Sequence, residues 1–197
     1  MGEFQGIKII KLNGGTGRRN PSTDGVMALV AFTPVMPAGV TVNSAIETIQ
    51  PLDADALGFN ASFDANNNIL TKHHIDEFYR LAPNGNLFVI PTDKTTAKAF
   101  FESVEGKALF RSINQIKRIG FVYNDDVPAL DMDAEINACQ TFLTELKNDD
   151  ILIDGIYLEA RNTGKTPADK RILDAPNVSL VAFQDPAIAV LHAKYNT

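Results

Sequence analysis

The stretch I-G-F-V-Y from Ile119 to Tyr123, and the segment D-M-D-A-E-I-N-A-C-Q-T-F-L-T-E-L-K from Asp131 to Lys147 that follows it, decide the fold class. The first is a short apolar run of strand length, suited to a position covered on both faces. The second places Ile136, Cys139, Phe142, Leu143 and Leu146 at helical spacing, so one stripe of a long helix is apolar. A buried strand joined to an amphipathic helix is the unit of a layered α/β protein.

Working outward, the same alternation continues in both directions. Ile151 to Leu158 and Val178 to Phe183 read as further strands, and Pro186 suits the first turn of a terminal helix because it lacks an N–H and has a fixed φ. Upstream, Leu87 to Ile90 is a strand, and Thr95 to Val104 and Lys107 to Asn114 are helices separated by Gly106. A helix from Ile69 to Leu81 would put Leu70, His74, Phe78 and Leu81 on one face, with Pro83-Asn84-Gly85 as its stop. Asp76 and Arg80 would form an i,i+4 surface pair. Leu52 to Leu57 is a short helix closed by Gly58, and Phe59 to Asn68 reads as a polar loop. Val26 to Phe32 (V-M-A-L-V-A-F) is a near-continuous apolar strand, Ile7 to Leu12 (I-K-I-I-K-L) another, and Thr41 to Gln50 is open between strand and helix. The expectation is an α/β fold with a mostly parallel or mixed sheet, helices on both faces and a β-rich N-terminal segment. It is one domain over 1–197, with a sub-boundary, if any, near 58–68 that would set a β-rich segment 1–57 apart from an α/β region 69–197.

Composition bounds the function classes. The chain has 197 residues, 45% of them hydrophobic, and one cysteine. That is enough to bury a core without disulfides or a structural metal. Lone Cys139 excludes an internal disulfide and a multi-cysteine zinc site. Of the net charge of −6, nearly all lies in residues 101–197. A basic face for phosphate neutralisation is absent, so nucleic acid is not an expected partner. No basic start with an apolar stretch marks a secretory signal, and no run approaches a membrane span, so the expected site of synthesis is a cytoplasm. The sequon Asn60-Ala61-Ser62 then has no glycosylating compartment to act in.

The motifs that hint at chemistry mostly fail on their own terms. Gly14-Gly15-Thr16-Gly17-Arg18-Arg19 offers amides and cations, yet turn residues rather than a helix follow it. Asn162-Thr163-Gly164-Lys165-Thr166 ends like a phosphate-binding loop, but Glu159 stands where its first glycine must be. His73 and Glu77 share a helix face without a third ligand, and Asp64-x-Asn66-x-Asn68 lacks the glycine and bidentate glutamate of a calcium loop. Cys139 sits on an apolar stripe as an inert thiol. The one electrostatic feature of weight is Asp125, Asp126, Asp131 and Asp133, after the carboxyl end of the Ile119 to Tyr123 strand. Open α/β sheets bind ligands there, and the four carboxylates would suit a divalent ion and a phosphorylated ligand. Set against that, Asp131 and Asp133 stand where helix caps and first-turn acids belong, and Asp125-Asp126 can simply turn the chain. No catalytic residue, cofactor-binding residue or metal ligand set is expected on the leading reading.

Three segments in order carry a family resemblance: Ile7 to Phe32, D-A-D-A-L-G-F from Asp53 to Phe59, and H-H-I-D-E-F-Y-R-L-A-P-N-G-N-L-F-V-I from His73 to Ile90. Together they resemble the amino-terminal portion of prophage-type phage contractile tail sheath-like proteins. The resemblance implies a non-enzymatic virion structural protein that self-assembles with copies of itself around a tail-tube protein. It implies no cofactor, and residence in the host cytoplasm before the virion tail. It also implies terminal arms that add strands to neighbouring sheets, for which Ile7, Ile9, Ile10 and Leu12 are the interface candidates. Such proteins run well beyond 197 residues, so this chain reads as a fragment or a short relative. The alternative is a small α/β domain that binds a divalent metal and a phospho-ligand, or transfers a phosphoryl group, through Asp125 to Asp133.

Overall fold

The computed structural model describes residues 26–113, 115–124, 130–160 and 177–182. Within them run β1 (Val26–Phe32), β2 (Ile46–Thr48), α1 (Pro51–Ala56), α2 (Ala61–Asn67), α3 (Thr71–Leu81) and β3 (Asn86–Thr92). There follow α4 (Ala97–Phe101), α5 (Val104–Ser112), β4 (Arg118–Val122), α6 (Met132–Asn148), β5 (Gly155–Ala160) and β6 (Val178–Ala182). The six strands form one mixed sheet in the order β2-β3-β1-β4-β5-β6. Only β2 is antiparallel, pairing Ile46, Glu47 and Thr48 with Val89, Phe88 and Leu87. The parallel strands alone follow the 2-1-3-4-5 order of a doubly wound sheet. The α/β expectation holds, with strands from both sides of residues 58–68 in the same sheet.

Strand β1 is central because its residues are apolar at consecutive positions; it is flanked by β3 and β4, and six of its seven residues are buried. Pro91 in β3 survives because its carbonyl faces outward to the Asn43 amide (2.8 Å), so its missing N–H faces a side that β2 does not reach. On one face of the sheet, α4, α5 and α6 enclose Phe100, Phe101, Phe110, Phe121 and Phe142, whose rings pack edge-on or tilted. Each such side chain contributes about 1.5–3 kcal/mol by leaving water. On the other face, Phe59, Ile75 and Tyr79 of the α1–α3 layer cover Leu29, Ala31, Leu87 and Val89.

Four local expectations are corrected. Residues 59–68 are not a loop but largely α2, whose N-terminus is set by Asn60 Oδ1 accepting from the Phe63 amide (2.9 Å). The core stripe of α3 is Thr71, Lys72, Ile75 and Tyr79, and Leu81 is 73% exposed. Arg80 pairs with Glu77 rather than Asp76, because Asp76 is held by Lys72 at 2.8 Å. The break between α4 and α5 falls at Ser103, whose hydroxyl caps the Gly106 amide at 2.9 Å. Gly106 lies inside α5, at a position that needs glycine because an added Cβ would strike the Phe100 carbonyl oxygen. The terminal helix expected from Pro186 lies outside the described residues.

Candidate functional site

A doubly wound sheet offers its ligand site at the carboxyl ends of the strands where the order reverses, here between β1 and β4. That switch point is filled by Asn124, which follows β4 with a left-handed φ of 50°. Its Nδ2 donates to the Phe32 carbonyl (3.0 Å) and to Thr71 Oγ1 (2.9 Å), and its Oδ1 accepts from the Leu70 amide (3.0 Å). One side chain thus ties the end of β1 to the start of α3, and its amide is used on both sides.

The helix N-termini nearby attract anions through their free amides and dipole, but each already holds a carboxylate of the chain. Asp64, on α2, accepts from the amides of Lys72 (2.7 Å) and His73 (3.3 Å) at the start of α3. Burial pushes the Asp64 carboxyl up to about 7, against the pull of those two amides. Its second oxygen, Oδ1, is buried with no hydrogen-bond partner. Glu135, on α6, plays the same part for α4, with Oε2 accepting from the Lys98 amide (2.8 Å) and the Tyr123 hydroxyl (3.2 Å). Burial raises the Glu135 carboxyl above its usual range, and burial beside Glu135 raises the Tyr123 hydroxyl. Asp131 caps its own helix, its Oδ1 accepting from the amides of Asp133 (3.1 Å) and Ala134 (3.3 Å). A phosphate arriving at any of these three termini would meet a carboxylate in its place.

The sequence candidates are placed accordingly. Asp131 is the N-cap of α6 and Asp133 lies in its first turn, the positions where acids offset a helix dipole. Asp125 and Asp126 lie outside the described residues, as do Ile7, Ile9, Ile10 and Leu12, the glycine loop 14–19 and the segment 162–166. His73 and His74 sit with ring centroids 5.6 Å apart on α3, and Asp64 is a helix residue rather than a calcium-loop ligand. Among the described residues no group of three His, Cys, Asp or Glu is arranged to hold a metal ion, and no helix is long and apolar enough to cross a membrane. Cys139 is buried, and that burial drives its thiol well above the ordinary range.

Sequence reasoning missed Asn124, Asp64 and Glu135. Glu135 had a visible signal, since it lies four residues before Cys139 on the apolar stripe of α6, where a charge demands a buried partner. Asp64 had none, because its partners are eight and nine residues away across a helix junction.

These features define a doubly wound α/β domain whose switch point and neighbouring helix termini are filled by its own side chains. The chain belongs to the DUF2586 family: the model described as "DUF2586, N-terminal domain" matches residues 4–189. No curated protein matches the sequence.

Proposed function

We propose that this chain is a non-enzymatic structural subunit, the amino-terminal portion of a phage tail sheath-like contractile assembly. In this reading it associates with its own copies in part by strand addition, surrounds a tail-tube protein, and passes from the host cytoplasm into the virion tail. The resemblance of the Ile7 to Phe32, Asp53 to Phe59 and His73 to Ile90 segments to that family motivates the reading. The observation that supports it is that, among the described residues at the sheet's ligand end, Asn124, Asp64, Glu135 and Asp131 spend their polar groups on the chain's own backbone and side chains. At the far edge β6 pairs with β5 on one side, and among the described residues no strand lies on its other side. An outer strand edge of this kind accepts an added strand.

Electron microscopy of the full-length gene product tests the proposal. Tubes or rings are expected, and their loss when residues 1–12 are deleted would assign the contact to the Ile7 to Leu12 segment. A product that stays monomeric at high concentration would refute it. A rise of several degrees in melting temperature with magnesium or manganese, abolished by Asp125→Asn with Asp133→Asn, would favour the metal and phospho-ligand reading instead.

A further inference from the structure

The turn that carries the chain from α3 into β3, Ala82-Pro83-Asn84-Gly85, brings a free side-chain amide next to an unhindered backbone amide. Asn84 is exposed, lies outside helix and strand, and makes no side-chain hydrogen bond among the described residues. Gly85 follows it, and with no Cβ a glycine leaves its backbone nitrogen open to approach.

Every other asparagine among the described residues lacks part of this arrangement. Asn60, Asn67, Asn86, Asn124 and Asn177 engage their side chains in hydrogen bonds, and Asn43 Oδ1 is buried. Asn66, Asn137 and Asn148 lie in α2 and α6, where the helical ladder holds the amide that follows. Asn68 precedes β-branched Ile69, whose amide donates to the Asp64 carbonyl at 3.0 Å.

We infer that Asn84 is a site of spontaneous deamidation. The Gly85 amide nitrogen gives its proton to solvent and bonds to Asn84 Cγ. The Cγ–Nδ2 bond breaks, and the amine takes a proton from water and leaves as ammonia. Water then opens the five-membered imide at either carbonyl. Opening at Cγ gives aspartate; opening at the main-chain carbonyl gives isoaspartate, and the net charge of −6 falls by one.

The turn governs the rate. The Gly85 N–H donates to the Ala82 carbonyl at 2.9 Å, and the nitrogen must leave that bond to reach Cγ. Ring closure therefore proceeds from the locally opened turn. Isoaspartate also adds a methylene to the backbone where room is short. A Cβ on Gly85 would come within 2.8 Å of Phe78 Cζ, while Asn86 is held in register with Val26 and to Glu47 at 3.0 Å. None of this depends on the sheath reading.

Prolonged incubation of the full chain at neutral pH, followed by peptide mapping with mass spectrometry, tests the inference. Mapping separates Asn84 from Asn13-Gly14, the other such pair in the sequence. The Asn84 peptide should gain the mass of an NH2-to-OH exchange ahead of peptides carrying Asn66 or Asn137, as a mixture of aspartate and isoaspartate. It should convert about tenfold faster in denaturant, where the turn no longer holds Gly85. Asn84→Gln, a surface change that closes a six-membered ring far more slowly, should abolish the conversion. An unchanged Asn84 peptide in the folded chain would overturn the inference, as would conversion of Asn66 or Asn137 at the same rate. Aspartate as the sole product would refute attack by the Gly85 nitrogen, and equal rates in folded and denatured chains would refute control by the turn.

Discussion

Replacing Asp64 by Asn tests the energetic role of the buried carboxylate at the start of α3. Asp64 is 1% exposed, and its carboxyl is raised from 3.8 to about 7, chiefly by burial. A carboxyl whose folded pKa exceeds its unfolded one binds a proton more tightly in the native state. The wild-type chain therefore gains stability from this group as pH falls through 7 toward 4, and carries the full penalty of the buried charge above 7. Integrating the two titrations between about pH 7.5 and 5 gives a gain of roughly 2–3 kcal/mol, with the pull of the Lys72 and His73 amides already contained in the shift. Asparagine keeps an acceptor for the Lys72 and His73 amides but cannot ionise, so Asp64→Asn should remove this part of the pH slope. Denaturant unfolding followed by circular dichroism at several pH values measures both slopes, and their difference cancels other titrating groups. Parallel slopes for the two proteins would show that the helix terminus holds the carboxylate ionised, and would refute the reasoning.

Asn124→Ala should lower stability by about 3–5 kcal/mol, since it leaves the Leu70 amide and Phe32 carbonyl without their partner and puts alanine, which tolerates the left-handed region less well than asparagine, at positive φ. Asn124→Gly should lose less, and denaturation midpoints rank the two. Gly106→Ala should cost about 1–3 kcal/mol by driving a methyl into the Phe100 carbonyl, whereas ordinary helix propensity would make it stabilising. Asp131→Ala should cost about 1 kcal/mol through loss of the α6 cap, measured at neutral pH without added metal. Cys139 should be inert to thiol reagents until the protein unfolds, and labelling that begins below the unfolding transition would contradict its place in the core.

Much of the sheet was legible because strand burial leaves a local trace. Val26 to Phe32 is apolar at every position, as a central parallel strand must be, and its sequence limits coincide with those of β1. The apolar stripe of α6 was equally plain, and all five of its expected core residues are buried. The stripe of α3 was misread because Leu81 is apolar yet exposed, while Lys72 is charged yet buried between Asp55 (3.1 Å) and Asp76 (2.8 Å). Hydrophobicity alone ranks those two in the wrong order, and only the carboxylates around Lys72 reverse it.

The acidic run after β4 shows the same division. Sequence fixes that carboxylates follow this strand; it does not say whether they face a ligand or a helix terminus. Asp131 turns to its own helix because the first amides of α6 are the nearest unsatisfied donors. Asp64 and Glu135 turn to other helices, a choice made only when α2 meets α3 and α6 meets α4. The sequence by itself determined the alternation of strands and helices and the apolar centre of the sheet. The tertiary structure decided which edge strand runs backwards, that Asn124 closes the switch point, and where each buried charge finds its partner. Periodicity is written between near neighbours in the chain, whereas a buried polar group must be satisfied by whatever the fold brings to it in space.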